Sequence, residues 1–170
     1  HGKFRRQRQM CIRDSIELNS IGAFPYTPAT NLLFGLNEAI LMLKEEGLDE
    51  VFLRHKRHAE ATRLAVQTWG LEVLCESKDD FSNTLTAVLL PDGHDADNFR
   101  SIVLDNFNMS LGNGLSRLAG KVFRIGHLGD FNDLMLVATL GGIEMGLSKS
   151  SVPHQVGGTQ AAMQYLKQNS

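Results

Sequence analysis

The sequence is poor in cysteine, since only Cys11 and Cys75 occur among its 170 residues. Two cysteines cannot build the disulfide framework of a small secreted domain. The sequence also lacks an apolar run of the ~20 residues that span a bilayer, and no signal peptide is visible. Apolar residues make up 42% and charged residues 21%, as in ordinary globular proteins. We therefore expect a cytoplasmic globular protein without a membrane segment.

Positive charge is concentrated at the start of the chain. Residues 1–15 contain five basic residues and a single acidic residue, Asp14, which leaves 12 basic and 18 acidic residues in the remainder. A basic arm of this kind can bind nucleic acid, but the acidic body argues against a nucleic-acid partner. The string "RRQRQMCIRDS" is similar to translated adapter sequence at the ends of assembled metagenomic reads. We interpret residues 1–15 as a disordered or foreign tail.

Hydrophobic periodicity predicts an α+β fold in which helices pack on a small sheet. Phe52, Ala59 and Val66 are predicted to face the core from the second helix, and Leu134 and Leu136 from the long helix near the end. The predicted elements are, in chain order, helix 31–46, helix 49–69, strands 71–76 and 84–90, a helix capped by Asp95, strands 109–112 and 121–126, a helix capped by Asp130 or Asn132 and ending near Gly146, and a short helix ending near Lys167.

The stretch "FPYTPAT", residues 24–30, precedes the first of these helices. Thr27 is a good N-cap, and Pro28 suits the first helical position, where its missing N–H costs nothing. A helix N-terminus also attracts anions. The hydroxyl of Thr27 could therefore cap the helix, bind a phosphate, or do both.

Arg124 lies within the apolar strand "KVFRIG". Strand alternation places Phe123 and Ile125 on one face and Val122 with Arg124 on the other. A guanidinium in such a strand needs a partner. Its planar fork fits a substrate carboxylate. The alternatives are an internal salt bridge and a solvated edge position.

Four further signals are weaker. His55 and His58 have the spacing of metal ligands on a helix but no third ligand, so we expect no metal. His127 and Asp130 could form an acid–base pair, although a loop histidine and a helix cap explain them as well. The "GNG" at 112–114 lacks the context of a dinucleotide site and is interpreted as a turn between strands. Cys75, in a predicted strand with no base beside it, is interpreted as a core thiol.

Two stretches together resemble one enzyme family. "FPYTPATNLLFGLNEAI", followed by "GLDEVFLRHKRHAEATRLAVQTWGLEV", is similar to the middle of a class V aminotransferase. "MSLGNGLSRLAGKVFRIGHLGDFNDLMLVATLGGIEMGL" resembles the C-terminal domain of the serine–glyoxylate and alanine–glyoxylate aminotransferase group. The resemblance covers residues 16–170, with order and spacing agreeing across both stretches.

The resemblance implies the small C-terminal domain of the aspartate-aminotransferase-like fold, fold type I of the pyridoxal-phosphate enzymes. Residues 50–170 would form this domain, with an antiparallel or mixed sheet, and residues 16–49 the end of the large domain and the connecting helix. The family binds pyridoxal 5'-phosphate at the interface of a homodimer. Its carboxylate-binding arginine falls on Arg124. Its phosphate-binding threonine, which reaches the partner subunit's cofactor, falls on Thr27, with Tyr26 beside it.

The resemblance also implies a difference from the family. The lysine that forms the Schiff base lies upstream in these enzymes, and neither Lys3 nor Lys121 matches it. We therefore expect the C-terminal part of an enzyme that transfers an amino group from serine or alanine to glyoxylate, inactive by itself and without a catalytic residue of its own. The alternative is a non-catalytic α+β module that binds a ligand or regulates a partner.

Overall fold

The computed structural model describes residues 2–169, and the side chains of residues 11–169. The chain divides into two compact units between Gly47 and Leu48. No helix in the described range is both long and apolar enough to cross a membrane.

The first unit contains two helices, α1 (Gly2–Ser20) and α2 (Thr30–Glu46). The backbone of α1 is helical where the sequence predicted a disordered or foreign tail. Arginine and glutamine, which recur there, are good helix formers. The origin of residues 1–15 stays a prediction. α2 ends as predicted at Gly47, whose φ is +88° and whose N–H donates to the Leu43 carbonyl.

α2 has no buried residue. Its apolar side chains are open to solvent, with Leu32 and Phe34 each 75% exposed. An apolar helix face of this length is unusual on a monomeric surface.

The second unit is a four-stranded sheet with helices, as the α+β prediction requires. Its elements are, in chain order, α3 (Leu48–Thr68), β1 (Glu72–Val73), β2 (Leu85–Leu89), α4 (Ala96–Phe107), β3 (Gly112–Asn113), β4 (Val122–Gly126), α5 (Asp133–Lys149) and α6 (Gly158–Gln168), with 3-10 turns at Lys78–Asp80 and Ser116–Leu118. The strand order is β1-β2-β4-β3, and every described pairing is antiparallel. Helix α3 packs on β1 and β2, α4 packs on β3 and β4, and α5 and α6 pack on these helices.

Local signals place the starts of two helices correctly. The Asp95 carboxylate accepts the Asp97 N–H at the start of α4. The Asn132 side chain accepts the Met135 N–H at the start of α5. Both are N-caps that satisfy an N–H with no partner inside the helix.

The core lies between the sheet and the helices. Val88, Phe123 and Ile125 are fully buried and face Trp69, Phe99, Leu140 and other helix residues. The inward predictions for Phe52 and Leu134 are wrong, because these side chains are 63% and 79% exposed. The inward predictions for Ala59 and Val66 in α3 are confirmed, and the other buried positions of this helix are Val51, His55, His58, Ala61, Thr62 and Ala65.

Candidate functional site

Arg124 lies on the side of the sheet that faces away from the helices. Its strand, β4, is an inner strand between β2 and β3, and Arg124 is opposite Ala87 on one side and Gly112 on the other. The predicted alternation is confirmed, since Phe123 and Ile125 are fully buried in the core and Arg124 is half-buried. We call the face that carries Ala87, Gly112 and Arg124 the open face.

The guanidinium of Arg124 has an unused donor. Its Nε is buried and has no hydrogen-bond partner. Within the part of the chain that the structure describes, no salt bridge includes Arg124. The internal salt bridge considered from the sequence is therefore not formed among these residues, and the position is not at a sheet edge. Because a buried donor without a partner is costly, the open face has the chemistry of an anion site.

Gly112 leaves room for the Arg124 side chain. A Cβ placed on Gly112 would lie 3.0 Å from the Cβ, 3.1 Å from the Nε and 3.5 Å from the Cζ of Arg124. The interpretation of "GNG" as a turn is wrong, because Gly112 and Asn113 form β3 and the chain reverses later, around Ser116–Leu118. The sequence did not identify Gly112 as a site residue. A glycine next to an arginine-bearing strand was the available signal.

His127, which directly follows β4, is hydrogen-bonded to residues at the start of β2. Its Nδ1 donates to the Asn83 carbonyl at 3.1 Å, and its Nε2 accepts the Thr86 hydroxyl at 3.0 Å. Burial lowers the pKa of His127 to about 4, so the ring is neutral at pH 7. Because Asn83 and Thr86 occupy both ring nitrogens, the structure favours a structural loop histidine over an acid–base pair with Asp130.

Helix α3 holds the loop that follows β4. The Arg54 guanidinium donates to the Gly129 carbonyl at 2.8 Å and to the Phe131 carbonyl at 3.0 Å. The His55 Nε2 accepts the Gly129 N–H at 3.1 Å, while its Nδ1 donates to the Val51 carbonyl. These bonds fix the main chain of residues 129–131 against α3.

A partly buried ion pair continues this attachment at the start of α5. Arg57 donates to both carboxylate oxygens of Asp133, at 2.7 and 3.0 Å, and the His58 Nε2 lies 2.8 Å from Asp133 Oδ1. Partial burial raises the pKa of Asp133, but the hydrogen bonds from Arg57 and His58 outweigh it, and the net pKa is lowered. Burial lowers the pKa of His58. Among the described residues, no group of His, Cys, Asp and Glu side chains could hold a metal ion.

Thr27 does not cap α2. The N-cap is Ala29, with φ −76° and ψ 74° and no side-chain bond, and the helix begins at Thr30. The prediction that Thr27 is the cap and Pro28 the first helical residue is therefore wrong. The physical reason is a tight turn in which the Thr30 N–H donates to the Pro28 carbonyl at 2.9 Å. Thr27 and Tyr26 are exposed, and Tyr26 is 74% exposed.

Several known proteins that are similar to this chain are named aminotransferases. No family model matches. The chain is 46% identical over 157 residues to the serine–glyoxylate aminotransferase of Methylorubrum extorquens, covering 92% of this chain and 39% of that protein. It is 38% identical over 160 residues to the L-aspartate–glyoxylate aminotransferase of Paracoccus denitrificans, covering 94% of this chain and 40% of that protein.

A solved aminotransferase structure is also similar to this chain. The pyridoxamine–pyruvate aminotransferase of Mesorhizobium loti matches with a TM-score of 0.81 at 30% identity, over 86% of this chain and 38% of that chain. This chain spans about two fifths of the length of the curated relatives it matches. The predicted fold is confirmed, and the chain is similar over most of its length to aminotransferases of the group that includes the serine–glyoxylate aminotransferases.

Proposed function

We propose that the whole protein is a pyridoxal-phosphate-dependent transaminase that moves an amino group from serine or alanine to glyoxylate. The observation that carries this proposal is the buried, unpartnered Nε of Arg124 on the open face. The similarity of the chain to class V aminotransferases supports the reaction type.

Arg124 is proposed to bind the α-carboxylate, which amino donors and oxo-acid acceptors share. A guanidinium offers two parallel N–H donors to a carboxylate, and a charge-assisted pair of this kind also fixes the orientation of the substrate. One residue can therefore hold both substrates of a ping-pong transfer in the same place. Pyridoxal 5'-phosphate would supply the electron sink at the substrate α-carbon.

Thr27 is proposed to donate its hydroxyl to the cofactor phosphate of the partner subunit, with Tyr26 beside it. The Thr27 side chain is exposed and makes no hydrogen bond within the described range, which fits this role. The N-terminus of α2 has no side-chain cap, and a helix start of this kind favours a nearby anion. This role does not require Thr27 to cap α2, whose N-cap position is Ala29.

The remaining parts of the proposal concern the domains, the oligomeric state and location of the protein, and the inactivity of the 170-residue chain by itself. Residues 16–49 are proposed to end the large domain and connect it to the small domain at 50–170. The exposed apolar face of α2 supports a homodimer, because such a face needs a cover. The two free cysteines, Cys11 and Cys75, fit a cytoplasmic location. Because neither Lys3 nor Lys121 matches the family's Schiff-base lysine, we propose that the 170-residue chain does not transaminate alone.

Replacing Arg124 in the whole protein tests the proposed function. Arg124→Ala should raise the KM for serine or alanine about 100-fold or more, because it removes two charge-assisted hydrogen bonds. Arg117→Ala removes an exposed guanidinium from the 3-10 turn and serves as the matched control, with an unchanged KM. An Arg124→Ala enzyme with the wild-type KM for amino acid and glyoxylate would contradict the proposal. Assaying the 170-residue chain with added cofactor tests its predicted inactivity.

A further inference from the structure

Gly112 has no backbone reason to be glycine. Its φ lies outside the left-handed region, which would favour glycine, and it forms a regular antiparallel pair with Arg124. Any L-residue can adopt this strand conformation. The missing side chain must therefore be explained by the space around it.

That space is taken by the Arg124 side chain. A Cβ on Gly112 would lie 3.0 Å from Arg124 Cβ and 3.1 Å from Arg124 Nε. Directly opposed Cβ atoms in an antiparallel pair usually lie about 4.5–5.5 Å apart. The Arg124 stem thus leans over β3, against the main chain of Gly112, and any side chain at residue 112 would push it away.

The opposite neighbour of Arg124 is also small and apolar. Ala87 is directly opposite Arg124 on β2 and supplies no hydrogen-bond acceptor from its side chain. The Nε of Arg124 is buried and has no hydrogen-bond partner. A ligand that bonds to this nitrogen must approach the side edge of the guanidinium, where Nε and one Nη form a parallel pair of donors.

We propose that Gly112 is a positioning residue for Arg124, and that the carboxylate is held side-on through Nε and one Nη. This inference rests on the proposed function, in which Arg124 binds the substrate carboxylate. Gly112 contacts no reacting atom in it. Its role is to leave the volume into which the guanidinium stem leans.

The first experiment is a double-mutant cycle in the whole protein. Gly112→Ala should displace the Arg124 guanidinium by a few tenths of an ångström and raise the KM for the amino donor about 3- to 10-fold, with a smaller change in kcat. In an Arg124→Ala background the same change should alter KM by less than about twofold. The contact with the Cβ of residue 124 persists in that background, so the cycle isolates the guanidinium.

Gly141→Ala is the matched control. Gly141 lies in α5, and the nearest atom to an added Cβ there is Thr159 Cγ2 at 3.9 Å, an ordinary contact. This variant should keep the wild-type KM. Equal KM effects of Gly112→Ala in the two backgrounds would show that residue 112 acts on the fold and not through Arg124, and would overturn the inference.

Binding without turnover gives a second measurement. The dissociation constant of glyoxylate, measured by titration calorimetry on the cofactor-loaded protein without an amino donor, should rise for Gly112→Ala as KM does. Arg124→Lys leaves Gly112 unchanged and keeps the positive charge, but it has no Nε–H at the buried position. It should raise this dissociation constant about 10-fold or more, and a wild-type value would overturn side-on binding even where Gly112→Ala fails to fold.

The outcomes separate the two proposals. If Arg124→Ala leaves KM and glyoxylate binding unchanged, the proposed function fails. If Arg124→Ala weakens both and a folded Gly112→Ala changes neither, the proposed function stands and the inference about Gly112 fails.

Discussion

Protonation of Glu144 should weaken the attachment of α6 to α5. The Glu144 carboxylate accepts the Gly157 N–H at 2.5 Å, the Thr159 N–H at 2.9 Å and the Thr159 hydroxyl at 2.7 Å. The N-cap of α6, Gly157, has no side chain that could bind these groups. Glu144 therefore caps α6 from a neighbouring helix, and its negative charge lies at the positive end of the α6 dipole.

The size of the stabilisation by the Glu144 carboxylate follows from its lowered pKa. Partial burial raises the pKa of Glu144, but the hydrogen bonds from Gly157 and Thr159 outweigh it and lower the pKa from 4.5 to about 2. At 1.36 kcal/mol per pKa unit this shift corresponds to at most about 3 kcal/mol. Because the carboxylate is partly open to water, we expect about 1–2 kcal/mol. This stabilisation is complete above pH 4.5 and is lost as the pH falls from 4.5 towards 2.

Urea unfolding of wild type and Glu144→Gln at several pH values measures this contribution. The free energy of unfolding of the variant should be about 1–2 kcal/mol lower at pH 7. An amide has only one acceptor oxygen, so its NH₂ group faces one of the N–H donors and that hydrogen bond is lost. The difference should shrink as the pH falls below 4.5. Glu76→Gln makes the same chemical change at an exposed position and should cost less than about 0.5 kcal/mol. A Glu144→Gln difference that does not vary between pH 7 and pH 3 would refute the reasoning.

Two further stability predictions concern the packing around α3 and β4. A Cβ on Gly158 would lie 2.3 Å from Trp69 Nε1 and 2.7 Å from the Ala65 carbonyl oxygen, so Gly158→Ala should lower the free energy of unfolding by about 1–3 kcal/mol, while Gly141→Ala changes it little. Equal urea midpoints for the two variants would contradict this. His127 is neutral because burial lowers its pKa from 6.5 to about 4, so the unfolded chain binds a proton there that the folded chain does not, and stability falls as the pH drops from 6.5 to 4. His127→Gln should lack this part of the pH dependence, about 2–3 kcal/mol across the window, and parallel stability curves would rule it out.

The sequence predicted those features that depend on neighbouring residues. The caps at Asp95 and Asn132 and the glycine end of α2 at Gly47 are each set within a few residues of chain. The outward direction of Arg124 follows from alternation alone, because successive side chains of a strand point to opposite faces. Such features need no knowledge of tertiary contacts.

The start of α2 shows where a local signal fails. "TP" is a favourable helix start, although Thr30 and Asn31, three and four residues later, are also residues that cap helices. The structure instead closes a turn between Pro28 and Thr30, and the helix begins three residues after Thr27. A cap preference of about 1 kcal/mol is easily outweighed by the geometry of the preceding chain.

The prediction of which α3 residues face the core is partly wrong for a different reason. The predicted core position Phe52 points to solvent, while His58 is fully buried. His58 is tolerated in the core because Asp133, 75 residues away in the sequence, lies 2.8 Å from its Nε2. Hydrophobic periodicity places a polar residue on the surface, because it contains no information about a hydrogen-bond partner that is distant in sequence.

The surroundings of Arg124 depend on such distant partners throughout. The loop after β4 is held by Arg54 and His55, which lie 75 and 74 residues before the loop residue Gly129 that they bind. The space beside the guanidinium comes from Gly112 on another strand. A motif such as "KVFRIGHLGD" can therefore identify the arginine, whereas the direction of its guanidinium is fixed by residues that the motif does not contain. If Arg124 binds the carboxylate as proposed, substitutions at Gly112 should change carboxylate binding even when the motif itself is intact, because they fill the volume beside the guanidinium.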